Sequence, residues 1–353
     1  MTAPSRGVVN VAEINPHAPR PFTFTEAALC LRDSIRRLGY TCDLHVNRAD
    51  TAQRCIVLGA LPPNLPAVDQ LAPAKAAIFN FEQLGSTQSV TGEDYANWLR
   101  QWVVADYHSA NIDWLRRESG GEQRAFELPV VPSESIAWRP DLPYEPEVDV
   151  LFFGTLSERR QRIIDGLQAA GLTVEVVAGS FGEELAPAIK RARIVLHVHF
   201  YETGLFPIAR ILQPVAQGVA IVCEQSVFSR LSDWSASGIV FAPYERLVDA
   251  CKRLAANDAE REMRARRNLE FAAAIDFAPP FERLMRALDD APVRNEEIEK
   301  MLEAEATELP PEAHLAAPAF KIAERHPGQG KYGKWIVALL ILFSLYTIWL
   351  SMR

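Results

Sequence analysis

Short apolar runs rich in β-branched residues recur along most of this chain, separated by segments whose apolar positions follow a helical period. The clearest series is Val148–Phe153, Val174–Val177, Ile194–Val198 and Val219–Cys223. These runs are too uniformly apolar for strands with one wet face, which is the pattern of buried parallel strands joined by crossover helices. The same alternation is present earlier. It predicts strands at Gly7–Ile14, Tyr40–Val46, Cys55–Leu58, Ala76–Phe81, Val103–Asp106 and Ala125–Val131. Between them a helix capped by Thr23 or Thr25 runs to about Leu38 and stops at Gly39, and others cover Glu93–Trp102 and Ser109 to about Arg117. Proline and acids mark Pro132–Pro146 as a connector. Further on, Ser157 is a good N-cap, and Pro207 suits the first turn of a helix starting near Phe206. Helices at Tyr244–Ala256 and from Ala259 to Leu288, broken by Pro279-Pro280, close the second half. The expected fold class is α/β, with two Rossmann-like domains (residues 1–140 and 141–290) facing across a cleft. Ligands in such folds bind at the carboxyl ends of the strands.

From residue 291 the pattern changes. Glu-rich helical sequence at Asn295–Glu308 gives way to Pro, Ala and Gly, so 291–333 reads as a tether. Gly328-Gln329-Gly330-Lys331-Tyr332-Gly333 spells G-x-G-x-x-G, but no strand precedes it and it reads as a hinge. Trp335–Met352 carries no charge, and at roughly 1.5 Å per residue it reaches about 27 Å, near the lower limit for a bilayer span. Lys331 and Lys334 before it, against Arg353 after it, predict a C-terminal transmembrane helix (334–353) with the domains on the cytoplasmic side of an inner membrane.

Composition narrows the reading further. The 353 residues accommodate two domains and a tail, and the net charge of −8 leaves no cationic excess for nucleic acid. Five dispersed cysteines without a C-x-x-C read as reduced core residues. MTAPSRG leads directly into a strand, so no signal peptide is expected at that end.

Candidate chemistry gathers at predicted strand ends. Gly154, closing a strand before a helix that carries Arg159, Arg160 and Arg162, forms a turn suited to phosphate. Arg210 falls in the first turns of its helix, against the macrodipole, and calls for an anionic neighbour such as Glu202, Glu224 or a ligand phosphate. His197 and His199 share one face of a strand, and no third metal ligand stands at useful spacing. Asn80, Glu82, Asp106, Tyr107, His108 and Asn111 cluster at strand ends of the first half, with Glu13 nearby. Glu82, Asp106 and His108 are the candidate general bases.

The second half resembles the donor-binding half of GT-B glycosyltransferases of the group 1 (GT4-like) kind. The resemblance lies in Gly154 with Arg159/Arg160, then Glu202-Thr203-Gly204-Leu205-Phe206-Pro207, Arg210, and Gly218 before Val219–Val222. FNFEQL (Phe79–Leu84) and VADYHSANIDWL (Val104–Leu115) are similar to the N-terminal halves of bacterial members. The resemblance implies a nucleotide-diphosphate sugar as donor substrate and no bound metal or cofactor. It also implies donor contacts from Gly154, Arg159, Arg160, His199, Glu202, Arg210 and Glu224. One departure is chemical: the family's usual pair is two glutamates eight positions apart, and position 210 here is arginine, a donor fork in place of a hydroxyl acceptor. The expected function is transfer of a sugar to a membrane-proximal glycan or lipid-linked acceptor in bacterial envelope polysaccharide synthesis. A catalytically inactive nucleotide-sugar-binding scaffold at the membrane is the alternative.

Overall fold

The computed structural model describes residues 6–16, 24–48, 53–73, 75–85, 93–137, 144, 146–200 and 204–291. A first lobe is built from β1 (Val9–Glu13), α1 (Thr25–Arg37), β2 (Leu44–Val46), β3 (Arg54–Leu58), α2 (Leu65–Leu71), β4 (Ala76–Asn80), α3 (Glu93–Leu99), β5 (Val103–Asp106), α4 (Ser109–Glu118) and β6 (Ala125–Glu127). A second comprises β7 (Val148–Phe153), α5 (Glu158–Ala169), β8 (Val174–Val177), α6 (Ala186–Arg191), β9 (Ala192–His197), α7 (Ile208–Ala216), β10 (Ala220–Glu224), β11 (Val240–Ala242), α8 (Leu247–Ala255), α9 (Asp258–Ala274) and α10 (Ala278–Asp289). The strand orders are β2-β1-β3-β4-β5-β6 and β11-β10-β9-β7-β8, and every pairing between these strands is parallel.

The uniformly apolar runs are buried on both faces, as in β1, β4, β5 and β10, where every residue is buried. β8 is the exception. It is an edge strand and only half buried, and its Glu175 pairs with Arg191 at 2.7 Å. β2 and β6 are shorter than their apolar stretches suggest, α6 falls in the segment expected to cross over between β8 and β9, and α2 and β11 are additional to the predicted elements. β11 carries only three residues, too few for a period to register.

One hydrophobic cluster spans both lobes. Ala27 and Leu31 of α1 share it with Ile208, Ile211 and Val215 of α7 and with Phe206 and Trp234. α10 joins that cluster from the far end of the chain. Phe281 is fully buried edge-on to Tyr40, at 5.4 Å between ring centroids. Lys75 donates to the carbonyls of Leu288 (3.1 Å), Asp289 (3.0 Å) and Ala291 (2.9 Å), satisfying a helix terminus that has no intrahelical partners. Pro279 and Pro280 sit in the first turn of α10, where a missing N–H costs nothing, so they begin this helix and the break falls before them at Ile275–Phe277.

The membrane expectation requires correction. No helix among the described residues is long and apolar enough to cross a membrane. Trp335–Met352 and the tether before it lie outside the described residues. The transmembrane helix, the membrane contact and the inner-membrane location rested on that segment, and all three are withdrawn.

Candidate functional site

In the second sheet β7 lies between β8 and β9, so the chain leaves it in opposite directions on its two sides. Such a switch point opens a crevice at the strand ends. Gly154 occupies it with φ +122°, its N–H bonded to the Val177 carbonyl at 2.8 Å. A Cβ here would stand 2.4 Å from Nη1 of Arg210, which explains the glycine: the guanidinium lies directly on the turn. Arg210 enters from α7, donates from Nη1 to the Phe153 carbonyl (3.2 Å) and lies over the Phe153 ring at 5.6 Å. Burial lowers its pKa, and the Glu26 carboxylate acts in the opposite sense. A cation this near a helix start is thus offset by a carbonyl and a carboxylate.

On the other side of Gly154, Ser157 caps α5, accepting from the Arg160 N–H at 3.4 Å. The two arginines that follow diverge. Arg159 forms a two-pronged pair with Glu224, with Nη1 2.6 Å from Oε2 and Nη2 against Oε1. Its guanidinium also covers the Tyr244 ring at 4.0 Å. The Glu224 hydrogen bond raises the Arg159 pKa. Glu224 further accepts from the His199 N–H at 2.9 Å, while the His199 ring lies 3.1 Å from both the Gln225 carbonyl and Ser226 Oγ. Arg160 turns inward: it is buried and donates to the carbonyls of Val198 (2.9 Å) and Thr155 (2.7 Å). It fastens the end of β9 to the β7–α5 turn. Of the three arginines expected to meet at one hollow, Arg210 alone lines the cleft described next.

That cleft, about 270 Å³, runs between the lobes at the carboxyl ends of both sheets. His197, His199, Phe200, Pro207 and Arg210 form one wall, and Phe24, Phe81, Glu82 and Tyr107 the other. The three aromatics of the second wall are in contact, with centroids 5.4 Å apart for Phe24–Phe81 and 5.6 Å for Phe81–Tyr107. His197 is buried and its Nε2 has no hydrogen-bond partner. Burial lowers its pKa well below the usual imidazole value, and His199 and the three arginines push the same way. The ring is therefore neutral and has hydrogen-bonding capacity left for a ligand. Sequence reasoning favoured His199 at the cleft and missed His197, although strand alternation puts both on one face.

On the first lobe, the three candidate bases separate. Asp106 is fully buried and accepts from Asn80 Nδ2 (2.6 Å), Asn111 Nδ2 (3.0 Å) and the His108 N–H (2.7 Å). Burial pushes its carboxyl up to about 8, with those donors acting in the other direction. His108 caps α4, its Nδ1 accepting from Ala110, while Nε2 lies 2.9 Å from the Val227 carbonyl of the second lobe. Both residues are committed to holding structure. What they hold is the loop after β4: Asn80 and Asn111 each donate to the Glu82 carbonyl at 2.9 Å. Glu82 alone of the three reaches the cleft. Burial raises its pKa above the ordinary carboxylate value. Glu13 is buried and accepts from Thr25 Oγ1 at 2.8 Å. Glu202 lies outside the described residues.

No protein-family model matches the chain. Among curated proteins it is similar to an uncharacterized protein of Acanthamoeba polyphaga mimivirus, 33% identical over 105 residues. That match covers 29% of this chain and only 12% of the relative's length. Among solved structures, T4 phage β-glucosyltransferase superposes with a TM-score of 0.52 at 12% identity, covering 81% of this chain and 100% of that one. A TarM mutant of S. aureus, solved in complex with UDP, superposes with a TM-score of 0.50 at 9% identity, covering 75% of this chain and 59% of that one. The fold is therefore the GT-B-like, two-Rossmann-lobe fold of glycosyltransferases. These identities are too low to fix the GT4-like family or a bacterial origin.

Proposed function

We propose that this chain is a glycosyltransferase that holds the diphosphate of a nucleotide sugar at Arg210 and the start of α5. The sugar would pass to an acceptor lodged against the first lobe. One observation carries the reading: a single cleft at the ends of both sheets joins a guanidinium and a hydrogen-bonding histidine on one wall to a carboxylate of raised pKa on the other. The glycosyltransferase fold supports it.

In this scheme Glu82 accepts the proton of an acceptor hydroxyl as that oxygen bonds to the anomeric carbon. The bond from that carbon to the diphosphate breaks, and the departing charge falls on the oxygens facing Arg210 and the start of α5. A base with an elevated pKa is well matched to neutral pH. His197 donates to the diphosphate or a sugar hydroxyl, and the Phe24–Phe81–Tyr107 wall offers apolar surface to an acceptor ring. Gly154 admits Arg210 to the turn, and Arg159, Arg160, His199 and Glu224 keep the second-lobe loops in place. Asp106 and His108 position the Glu82 loop. A glycan acceptor of envelope polysaccharide synthesis is the finer part of the proposal; the lipid-linked, membrane-proximal acceptor followed from the withdrawn anchor and is not carried forward.

Calorimetric titration of the purified chain with UDP-, GDP-, dTDP- and CMP-sugars tests the donor site, and release of nucleotide in the presence of glycan acceptors tests transfer. Arg210→Ala is expected to abolish donor binding. Glu82→Gln is expected to bind donor as the parent does and to lose transfer. Absence of binding across the panel overturns the reading. The engagement of Asp106 and His108 in structural bonds favours a second reading, an inactive nucleotide-sugar-binding scaffold, for which binding without turnover in the parent chain would decide.

A further inference from the structure

A second cavity, of about 440 Å³, lies between α1, the connector near Ser135 and the turn that follows β8. Its polar lining is Thr25, Glu26, Ser135, Glu183, Glu184 and Gln213, and among the described residues no arginine, lysine or histidine lines it. Gln213 is buried, 6% exposed. It donates from Nε2 to the Gly182 carbonyl at 2.6 Å, which leaves its Oε1 without a hydrogen-bond partner. Glu26 is also buried and accepts from the Gly182 N–H. Burial raises the pKa of this carboxyl. Leaving a buried acceptor unmatched is unfavourable, so Gln213 Oε1 is satisfied best by a donor arriving from outside.

We infer that this cavity is a binding site for an aliphatic ammonium group. Besides the Thr25 and Ser135 hydroxyls, the lining offers a ligand acceptors: three carboxyl groups and one unpaired amide oxygen. Arg210 offsets Glu26 from the far side, but an anion would meet Glu183 and Glu184 with no described cation in the lining, and a neutral hydroxyl would leave their charge unanswered. An ammonium brings three donors and the opposite charge. Next to Glu26 it also favours the ionised carboxylate, reversing the effect of burial. Glu26 and Gln213 line a smaller void together with Arg210, so the ammonium site adjoins the sugar-donor cleft without sharing its chemistry. The assignment does not depend on glycosyl transfer. An ammonium of this kind occurs in polyamines and in amino sugars.

Calorimetric titration of the full chain with spermidine, with glucosamine and with glucose distinguishes the sources. Binding of spermidine or of glucosamine, with none for glucose, is the expected result, and the amine that binds identifies the ligand class. The double substitution Glu183→Gln/Glu184→Gln lies on exposed positions and is expected to weaken amine binding about tenfold or more with an unchanged melting temperature. Glu26→Gln, which keeps an oxygen for the Gly182 N–H, is expected to weaken it as well. Failure of both amines to bind, equal binding of glucose, or full amine affinity in the double variant would each overturn the assignment. Should Glu26→Gln fail to fold, the double variant decides alone.

Discussion

Replacing Gly154 by alanine separates two consequences of one residue. The new Cβ would stand 2.4 Å from Nη1 of Arg210, 2.8 Å from Cζ and 2.9 Å from Nη2. Ordinary contact needs about 3.5 Å, so the guanidinium has to retreat by about 1 Å and release the Phe153 carbonyl. Independently, φ +122° is strained for any residue with a side chain, at about 1–3 kcal/mol. At about 2–4 °C per kcal/mol for a protein of this size, strain alone lowers the melting temperature by about 2–12 °C. Gly171 supplies the control. Its φ is +83° and nothing lies within 4 Å of the place a methyl group would take, so Gly171→Ala incurs backbone strain alone. Scanning calorimetry is expected to show both variants melting earlier. Titration with UDP-glucose, or whichever nucleotide sugar binds the parent chain, is expected to show loss of affinity by about tenfold or more in Gly154→Ala only, because a shift of about 1 Å in a positioning group is felt steeply. Equal donor affinity in the two variants would refute the link between this turn, Arg210 and the diphosphate.

Three further outcomes follow from the geometry. Lys75→Met removes the cation that binds three carbonyls at the end of α10 and is expected to lower stability by about 1.5–3 kcal/mol, read as a shift in the urea midpoint with the slope unchanged. Asp106 keeps its proton in the folded state up to about pH 8 but loses it near the ordinary carboxylate value when unfolded, so the stability it contributes is complete below that value and lost as pH rises toward 8. Stability read from urea midpoints across that window is expected to fall by about 1.4 kcal/mol per pH unit at the steepest, and Asp106→Asn is expected to flatten the slope. The transfer rate is expected to fall as pH is lowered through the raised pKa of Glu82, and a rate independent of pH on the acid side would remove Glu82 as the base.

Much of this architecture is legible in the chain because a strand buried on both faces must be apolar throughout, and β1, β4, β5 and β10 are largely so. The Ser157 cap and the helix beginning beside Pro207 are equally readable, since both depend on a few neighbouring residues. Side-chain direction is not. Arg159 and Arg160 are adjacent, yet one pairs with Glu224 across the sheet and the other is drawn to two carbonyls, an outcome decided by where β9 and β10 end. Asp106 and His108 are recognisable as polar residues at a strand end. Their enclosure depends on Asn80, Asn111 and a carbonyl from the other lobe, and local spacing carries no trace of those contacts.

The return of α10 to the first lobe has a mechanical consequence. Polypeptide crosses from one lobe to the other at the connector after β6 and crosses back ahead of α10, where Arg54 and Lys75 grip the final turn. A body held by two such strands cannot swing freely like a door on one pivot. Rotation about the line through the two crossings is the relative movement that strains the fewest covalent links.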